Sequence, residues 1–187
     1  AFPRYGGFVG LHPLTDPRVM WHDVLGSGGV RELLWLERTE GYIEKYLSHE
    51  ALLAGDVLIA ISHGGRNCAA IEASMYARER GMKVVAITAK SNFVRPAEHS
   101  SGSRLADVAD VVIDTHVPIE DALVTVDGWS RPVGGGSTIV AMSIVQELNV
   151  RAAQKLAERG MELPTFVSPT VPGASLESND EVFDAHE

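Results

Sequence analysis

An α/β fold with a doubly wound parallel sheet in three layers is what this sequence predicts, and three observations predict it. Val57–Ile61 (VLIAI) and Val84–Thr88 (VVAIT) are short, nearly unbroken apolar runs, the pattern of strands buried on both faces. Small residues and then helix-like stretches separate them. Strand, helix, strand, helix, strand follow one another between residues 57 and 113, and right-handed crossovers wind such a series into one parallel sheet.

Residues 1–30 carry two turn signals, Tyr5-Gly6-Gly7 and Gly26-Ser27-Gly28-Gly29, and an Asp16-Pro17 step. They read as loop with short helical pieces. Leu33, Leu34, Leu36, Ile43, Tyr46 and Leu47 recur at three- and four-residue steps and predict a helix over 31–53. The first strand ends in Ser-His-Gly-Gly, and a helix is expected over 67–80, stopped by Gly81. After the second strand come a short helix over 101–109 and a third strand, Val111–Ile113. Residues 119–126 add an extended segment or a turn of helix. A Gly-rich stop at 134–136 precedes a long helix over 137–159, ended by Gly160. Residues 1–171 are expected to form a single domain. The acidic tail 172–187 is expected to fray.

The chain has 187 residues, 45% of them hydrophobic, enough for one sizeable core. The net charge is −9. A nucleic-acid partner needs a basic face, and the composition supplies none overall. Cys68 is the one cysteine, so no internal disulfide is possible, which fits a reducing cytoplasm. No apolar run approaches the ~20 residues of a membrane span. The opening AFPRYGG lacks the basic end and apolar stretch of a signal peptide. The expectation is a cytoplasmic protein without membrane or nucleic-acid partners.

In an open parallel sheet, ligands bind beyond the carboxyl ends of the strands. The first such end reads Ser62-His63-Gly64-Gly65-Arg66-Asn67. Two glycines allow close approach of a backbone, and the following helix aims free N–H groups and its positive end at the same place. Ser62 and Asn67 add polar side chains, and Arg66 can pair with an anion bidentately. The run is read as a phosphate cradle. It matches neither the Gly-x-x-x-x-Gly-Lys-Ser/Thr nor the Gly-x-Gly-x-x-Gly nucleotide loop. The second strand end supplies Thr88, Ser91 and then His99-Ser100-Ser101-Gly102-Ser103, a hydroxyl-rich lining suited to a sugar. Gly134-Gly135-Gly136-Ser137-Thr138 opens the long helix, where Ser137 or Thr138 serves as an N-cap or faces a ligand. Acid/base candidates are Glu37 and Glu40, one helical turn apart, and His99. No pair of His or Cys falls at ligand spacing, so no metal and no cofactor is assigned.

The segment GDVLIAISHGGRNCAAIEASMYARERGMKVVAIT resembles the core of sugar-isomerase (SIS) domains, in which a strand ends in a Ser-x-Ser-Gly-x-Thr-like loop that holds the phosphate of a phosphosugar. HSSGSRLADVADVVIDTHVPIEDALV and GGGSTIVAMSIVQELNV are closer still to a bacterial subgroup of phosphosugar or phosphoheptose isomerases. The resemblance covers roughly residues 4–170 and implies an SIS-type fold. Ser62 matches the family's first serine and Asn67 its final threonine, while Gly64 stands where many members have the second serine. Relative to the family pattern, the chain starts after an opening helix, strand and Gly-rich loop. Glu40-Gly41 resembles the Glu-Gly step of muramic acid phosphate etherases, and Glu147 lies on the long helix as a catalytic Glu does in glucosamine-synthesising SIS isomerases. The resemblance implies a phosphorylated sugar as ligand and a homodimer or homotetramer. The reaction expected is aldose–ketose isomerisation through an enediol. The alternatives are a lyase or etherase on a phosphorylated amino sugar, and a non-catalytic sugar-phosphate sensor.

Overall fold

The computed structural model describes residues 4–14 and 29–185. The helix expected over 31–53 is two helices, α1 (Gly29–Leu36) and α2 (Tyr42–Leu47). They part at Gly41, whose φ of 78° is left-handed and free of strain only for glycine. The break lifts Glu40 out of a helical turn and into a loop. Residues 15–28, including the second turn signal up to Gly28, lie outside the described residues.

Next come β1 (Val57–Ile61), α3 (Cys68–Glu79), β2 (Lys83–Thr88), a 3-10 turn at Lys90–Val94, α4 (Leu105–Val108) and β3 (Val111–Asp114). The three strands form a parallel sheet in the order β1-β2-β3, with Val57 opposite Lys83 and Val85 opposite Val111. This is the expected α/β class and the expected parallel sheet. The expected helix over 101–109 shrinks to four residues. Residues 99–103 are held instead in a hydroxyl-bonded turn, and the Asp107 carboxylate accepts the Arg104 amide at the helix start.

The sheet core shows why these residues specify this layering. Strand residues alternate between faces. On one face Ala60 and Ala86 meet Ile71 of α3 and Leu105 of α4, and Leu58, Met75 and Val112 pack around them. Ala77, Met82 and Val84 close the other end of the same layer. Small alanines in the strands let the helices sit close, and Ile71, fully buried, contributes about 1.5–3 kcal/mol by leaving water. The alternate positions Val57, Ile61 and Val111 remain about half exposed.

Beyond β3 the expectations need two corrections. The glycine run 134–136 is not simply a stop. Val133–Gly135 forms β5, antiparallel to β4 (Ala122–Val124), and the long helix α5 starts at Gly136 and runs to Glu158. The acidic tail carries a 3-10 turn, Glu177–Asn179, and a short helix α6, Asp180–Asp184, with Asn179 and Val182 buried.

The chain divides into two compact units, one within Asp16–Ala141 and the other within Ala1–Thr15 and Met142–Glu187. In the second, the Phe8–Thr165 bridge and the Asn149 side chain, donating to the Gly6 carbonyl, tie the first residues to α5 and its sequel. Among the described residues, no helix is long and apolar enough to cross a membrane.

Candidate functional site

The run Ser62–Asn67 sits between β1 and α3, at the carboxyl end of the central layer. Gly65 shows why the turn needs glycine. Its φ is +58°, and a Cβ there would lie 2.6 Å from Thr88 Oγ1. The loop is bolted down from within. Gly65 donates to Ser62 Oγ at 3.1 Å, the Gly65 carbonyl accepts the Leu105 amide, and the His63 carbonyl accepts the Ala89 amide. Thr88 Oγ1 and Asn92 Nδ2 also donate to the His63 carbonyl. Thr88 is fully buried beneath the loop. The sequence reading made it a lining residue, whereas it is a support.

The loop's amides answer whether an anion can be held. Asn67 has extended backbone (φ −75°, ψ 144°) and precedes the helix. Two amides are already engaged, that of Gly65 by Ser62 and that of Ala69 by the Glu37 carbonyl. Among the described residues, no protein acceptor takes the amides of Gly64, Arg66 or Asn67. Ser62 accepts through Oγ, which leaves its hydroxyl proton uncommitted.

Arg66 does not extend freely from the loop. Its Nε donates to the Pro96 carbonyl at 2.6 Å and its Nη2 lies 3.4 Å from Glu98. Arg38 approaches the same carboxylate at 3.1 Å and also pairs with Glu37. Arg66 therefore fastens residues 96–98 over the loop. His63 points its Nε2 toward Asn92 and the Ile119 carbonyl, at 3.3 and 3.5 Å, and its buried Nδ1 has no partner.

The polar residues brought together near the amino end of α3 come from three elements. Glu40, in the break between α1 and α2, accepts from the Ser100 amide at 2.5 Å and from the Ser100 hydroxyl at 2.7 Å. These two bonds, the hydroxyl's first, hold its carboxyl below the ordinary value of 4.5. Glu72, one turn into α3, accepts the Gly41 amide with both oxygens, at 2.8 and 3.0 Å. His99 Nε2 lies 3.5 Å from Glu72, with both side chains largely buried. His99 Nδ1 faces the Ser101 hydroxyl at 2.8 Å. Glu40, Glu72 and His99 bring one ligand atom each within 4.8 Å of one another, the trio among the described residues able to hold a metal ion. Burial and then the carboxylates of Glu40 and Glu72 push the Cys68 thiol up, which keeps it neutral.

The remaining candidates have other partners. Glu37 lends its backbone carbonyl to Ala69 and its carboxylate to Arg38. Glu147 is exposed, paired with Arg151 at 2.8 Å, and belongs to the other unit. Ser137 is claimed by Asp121, whose carboxylate accepts the Ser137 amide at 2.7 Å and the hydroxyl at 2.9 Å. The amino end of α5 is thus capped by a protein carboxylate, and Thr138, next on the helix, is exposed. The sequence reading missed Glu72 and Asp121. Glu72 had a legible signal, one turn beyond Cys68 on the helix that opens at the loop. Asp121 had none, because its role depends on the β4–β5 pairing.

The SIS domain family matches residues 1–89, and the fold is of the α/β class with a parallel sheet. UPF0309 protein ABC0887 of Shouchella clausii is 35% identical over 188 residues, covering 100% of this chain and 74% of the relative. UPF0309 protein SCO4393 of Streptomyces coelicolor is 35% identical over 175 residues, 91% of this chain and 67% of its own. UPF0309 protein OB3413 of Oceanobacillus iheyensis is 33% identical over 187 residues, 100% and 74%. The chain belongs to the UPF0309 family of SIS-domain proteins, and membership in the SIS class implies a phosphosugar ligand.

Proposed function

We propose that the amides following β1 bind the phosphate of a phosphorylated sugar, and that Glu40 serves as the base of an aldose–ketose isomerisation through an enediol. The carrying observation is the convergence of Glu40 and the hydroxyl-bearing turn 99–101 near the amino end of α3, next to a loop whose Gly64, Arg66 and Asn67 amides have no acceptor among the described residues. Aldose–ketose exchange moves one proton between neighbouring carbons. A carboxylate takes the proton from the carbon beside the carbonyl, the enediol forms, and the proton returns to the adjacent carbon. Glu40 is held ionised at neutral pH, the state in which it can accept that proton. The Ser100 and Ser101 hydroxyls supply partners for sugar hydroxyls. Ser62 and the unclaimed amides supply donors for phosphate, strengthened by the helix end behind them.

The test is a melting experiment with glucose 6-phosphate, ribose 5-phosphate and sedoheptulose 7-phosphate, followed by NMR of solvent deuterium entering carbon 1 or 2 of each sugar. A ligand that binds only the native state raises the melting temperature. At least one sugar phosphate should raise it, while the unphosphorylated sugar should not. Glu40→Gln should keep the shift and lower exchange about 100- to 10,000-fold, the usual range for a general base. No shift with any of the three would overturn the binding reading. A shift without exchange would overturn the isomerase and leave a binding protein.

A further inference from the structure

We propose that Glu72 is the positioning residue of this site, the one group that fixes Glu40 from both sides; the inference rests on the reading of Glu40 as base. The contacts close a ring. Glu72 takes the amide of Gly41, the residue after Glu40, with both carboxylate oxygens. Glu40 takes the amide and hydroxyl of Ser100. His99, the residue before Ser100, turns its Nε2 to Glu72 at 3.5 Å. The loop that carries Glu40 and the turn that carries the hydroxyls are thus both referred to one carboxylate, and that carboxylate stands on a regular helix. Gly41 has left-handed backbone and a Gly41 Cβ would meet nothing within 4 Å, so that side of the loop is open and the Glu72 carboxylate holds it from the amide side. The amide–carboxylate bonds are charge-assisted, the stronger kind.

The turn that carries His99 sets its tautomer. The Ser101 amide donates to His99 Nδ1 at 3.2 Å, which requires a lone pair on Nδ1. The imidazole proton therefore sits on Nε2, facing Glu72. The Ser101 hydroxyl lies 2.8 Å from Nδ1 and accepts the Ser103 amide at 3.1 Å, so the turn is bonded within itself. Glu72 touches no reacting atom in this scheme. It acts by holding Glu40 and His99, and a displacement of about 1 Å at a reacting group can lower a rate about 100-fold.

The experiment follows Glu72→Ala and Glu72→Gln in the same deuterium-exchange assay and by long-range nitrogen NMR of His99. Glu72→Ala should lower the maximal exchange rate about 100-fold while the apparent KM and the melting shift for the same sugar phosphate stay within about twofold. Glu72→Gln keeps one acceptor oxygen and should recover most of the loss. In the wild type the His99 proton should reside on Nε2, fixed there by the Ser101 amide on Nδ1, and in Glu72→Ala the Nε2 resonance should shift as its carboxylate partner is lost. Unchanged exchange in Glu72→Ala overturns the proposal, as does a loss that appears only in KM. A stoichiometric divalent ion in the purified protein, lost in Glu72→Ala, overturns it in favour of metal ligation. If the wild type exchanges none of the three sugars, the isomerase reading falls by itself. The NMR arm then decides the ring, and a His99 Nε2 resonance unchanged in Glu72→Ala overturns it.

Discussion

Gly65 shows what a single residue enforces. Its backbone is left-handed, and the space where a side chain would start is filled by the Thr88 hydroxyl, 2.6 Å away. Gly65→Ala meets two penalties, about 1–2 kcal/mol for the left-handed backbone and a displaced Thr88 that loses its bond to the His63 carbonyl, about 1 kcal/mol more. Urea unfolding should show a loss of about 2–3 kcal/mol, with the melting response to sugar phosphates reduced as well. Gly65→Ala at wild-type stability would mean that the turn relaxes at no cost. At this scale the sequence was legible where chemistry is local: glycines at a strand end, and serines in a row. It was silent where a role depends on a distant partner. Thr88 and Arg66 carry functional groups suited to a sugar phosphate, yet the fold commits both to carbonyls of the protein, those of His63 and Pro96.

Elements were legible in proportion to their periodicity. β1, α3, β2 and α5 stand within one or two residues of the expected bounds, because buried runs and helix stops dominate there. The helix over 31–53 was overestimated, since apolar spacing continues across a glycine that tertiary contacts place in a left-handed turn. β4 lies within the segment over 119–126 expected as extended or a turn of helix, whereas β5 escaped notice because a three-residue strand has too short a pattern to alternate. The tail was judged by its charge, which hides the two residues that matter. Asn179 accepts the Val167 amide at 2.8 Å and donates to the Val167 carbonyl at 3.1 Å, so one side chain imitates a strand partner. Asn179→Ala leaves both backbone groups unpaired, at about 1–3 kcal/mol. Limited proteolysis should then cut within residues 175–185 at least tenfold faster, with α3 and the sheet still protected. Equal cutting rates would show that α6 is held by Val182 alone.

For the whole molecule, acid is the informative perturbation. Glu40, Asp110, Asp114 and Asp121 in the sheet unit, and Glu177 in the other, all have carboxyls held below their ordinary values. Hydrogen bonds lead for Glu40, Asp110 and Glu177, the Val84 amide first at Asp110 and the Ser175 hydroxyl at Glu177. At Asp114 and Asp121 burial opposes the shift and is outweighed, by the His116 and Lys90 amides at the former and by Ser137 at the latter. A carboxyl depressed in the native state stabilises it fully above the unfolded pKa and loses that contribution as pH falls through the native value. The stabilisation should thus be intact at pH 6, start to fade near the ordinary 3.8–4.5 range, and be lost below it. Melting followed from pH 7 to pH 3 should show a plateau and then a decline, steeper for a probe near β2–β3, where more of these groups lie. A melting temperature flat to pH 3 would contradict it.

The two glycine-led helix starts, Gly64-Gly65-Arg66-Asn67 and Gly134-Gly135-Gly136-Ser137, look like siblings on paper. Asp121 makes them opposites. At α5 the electrical demand of the exposed peptide ends is met in-house, by a residue of the same chain, so that helix is a finished strut with no vacancy to advertise. At α3 no carboxylate of the described residues plays that part for the Gly64, Arg66 and Asn67 amides, and the proposed phosphate would take its place.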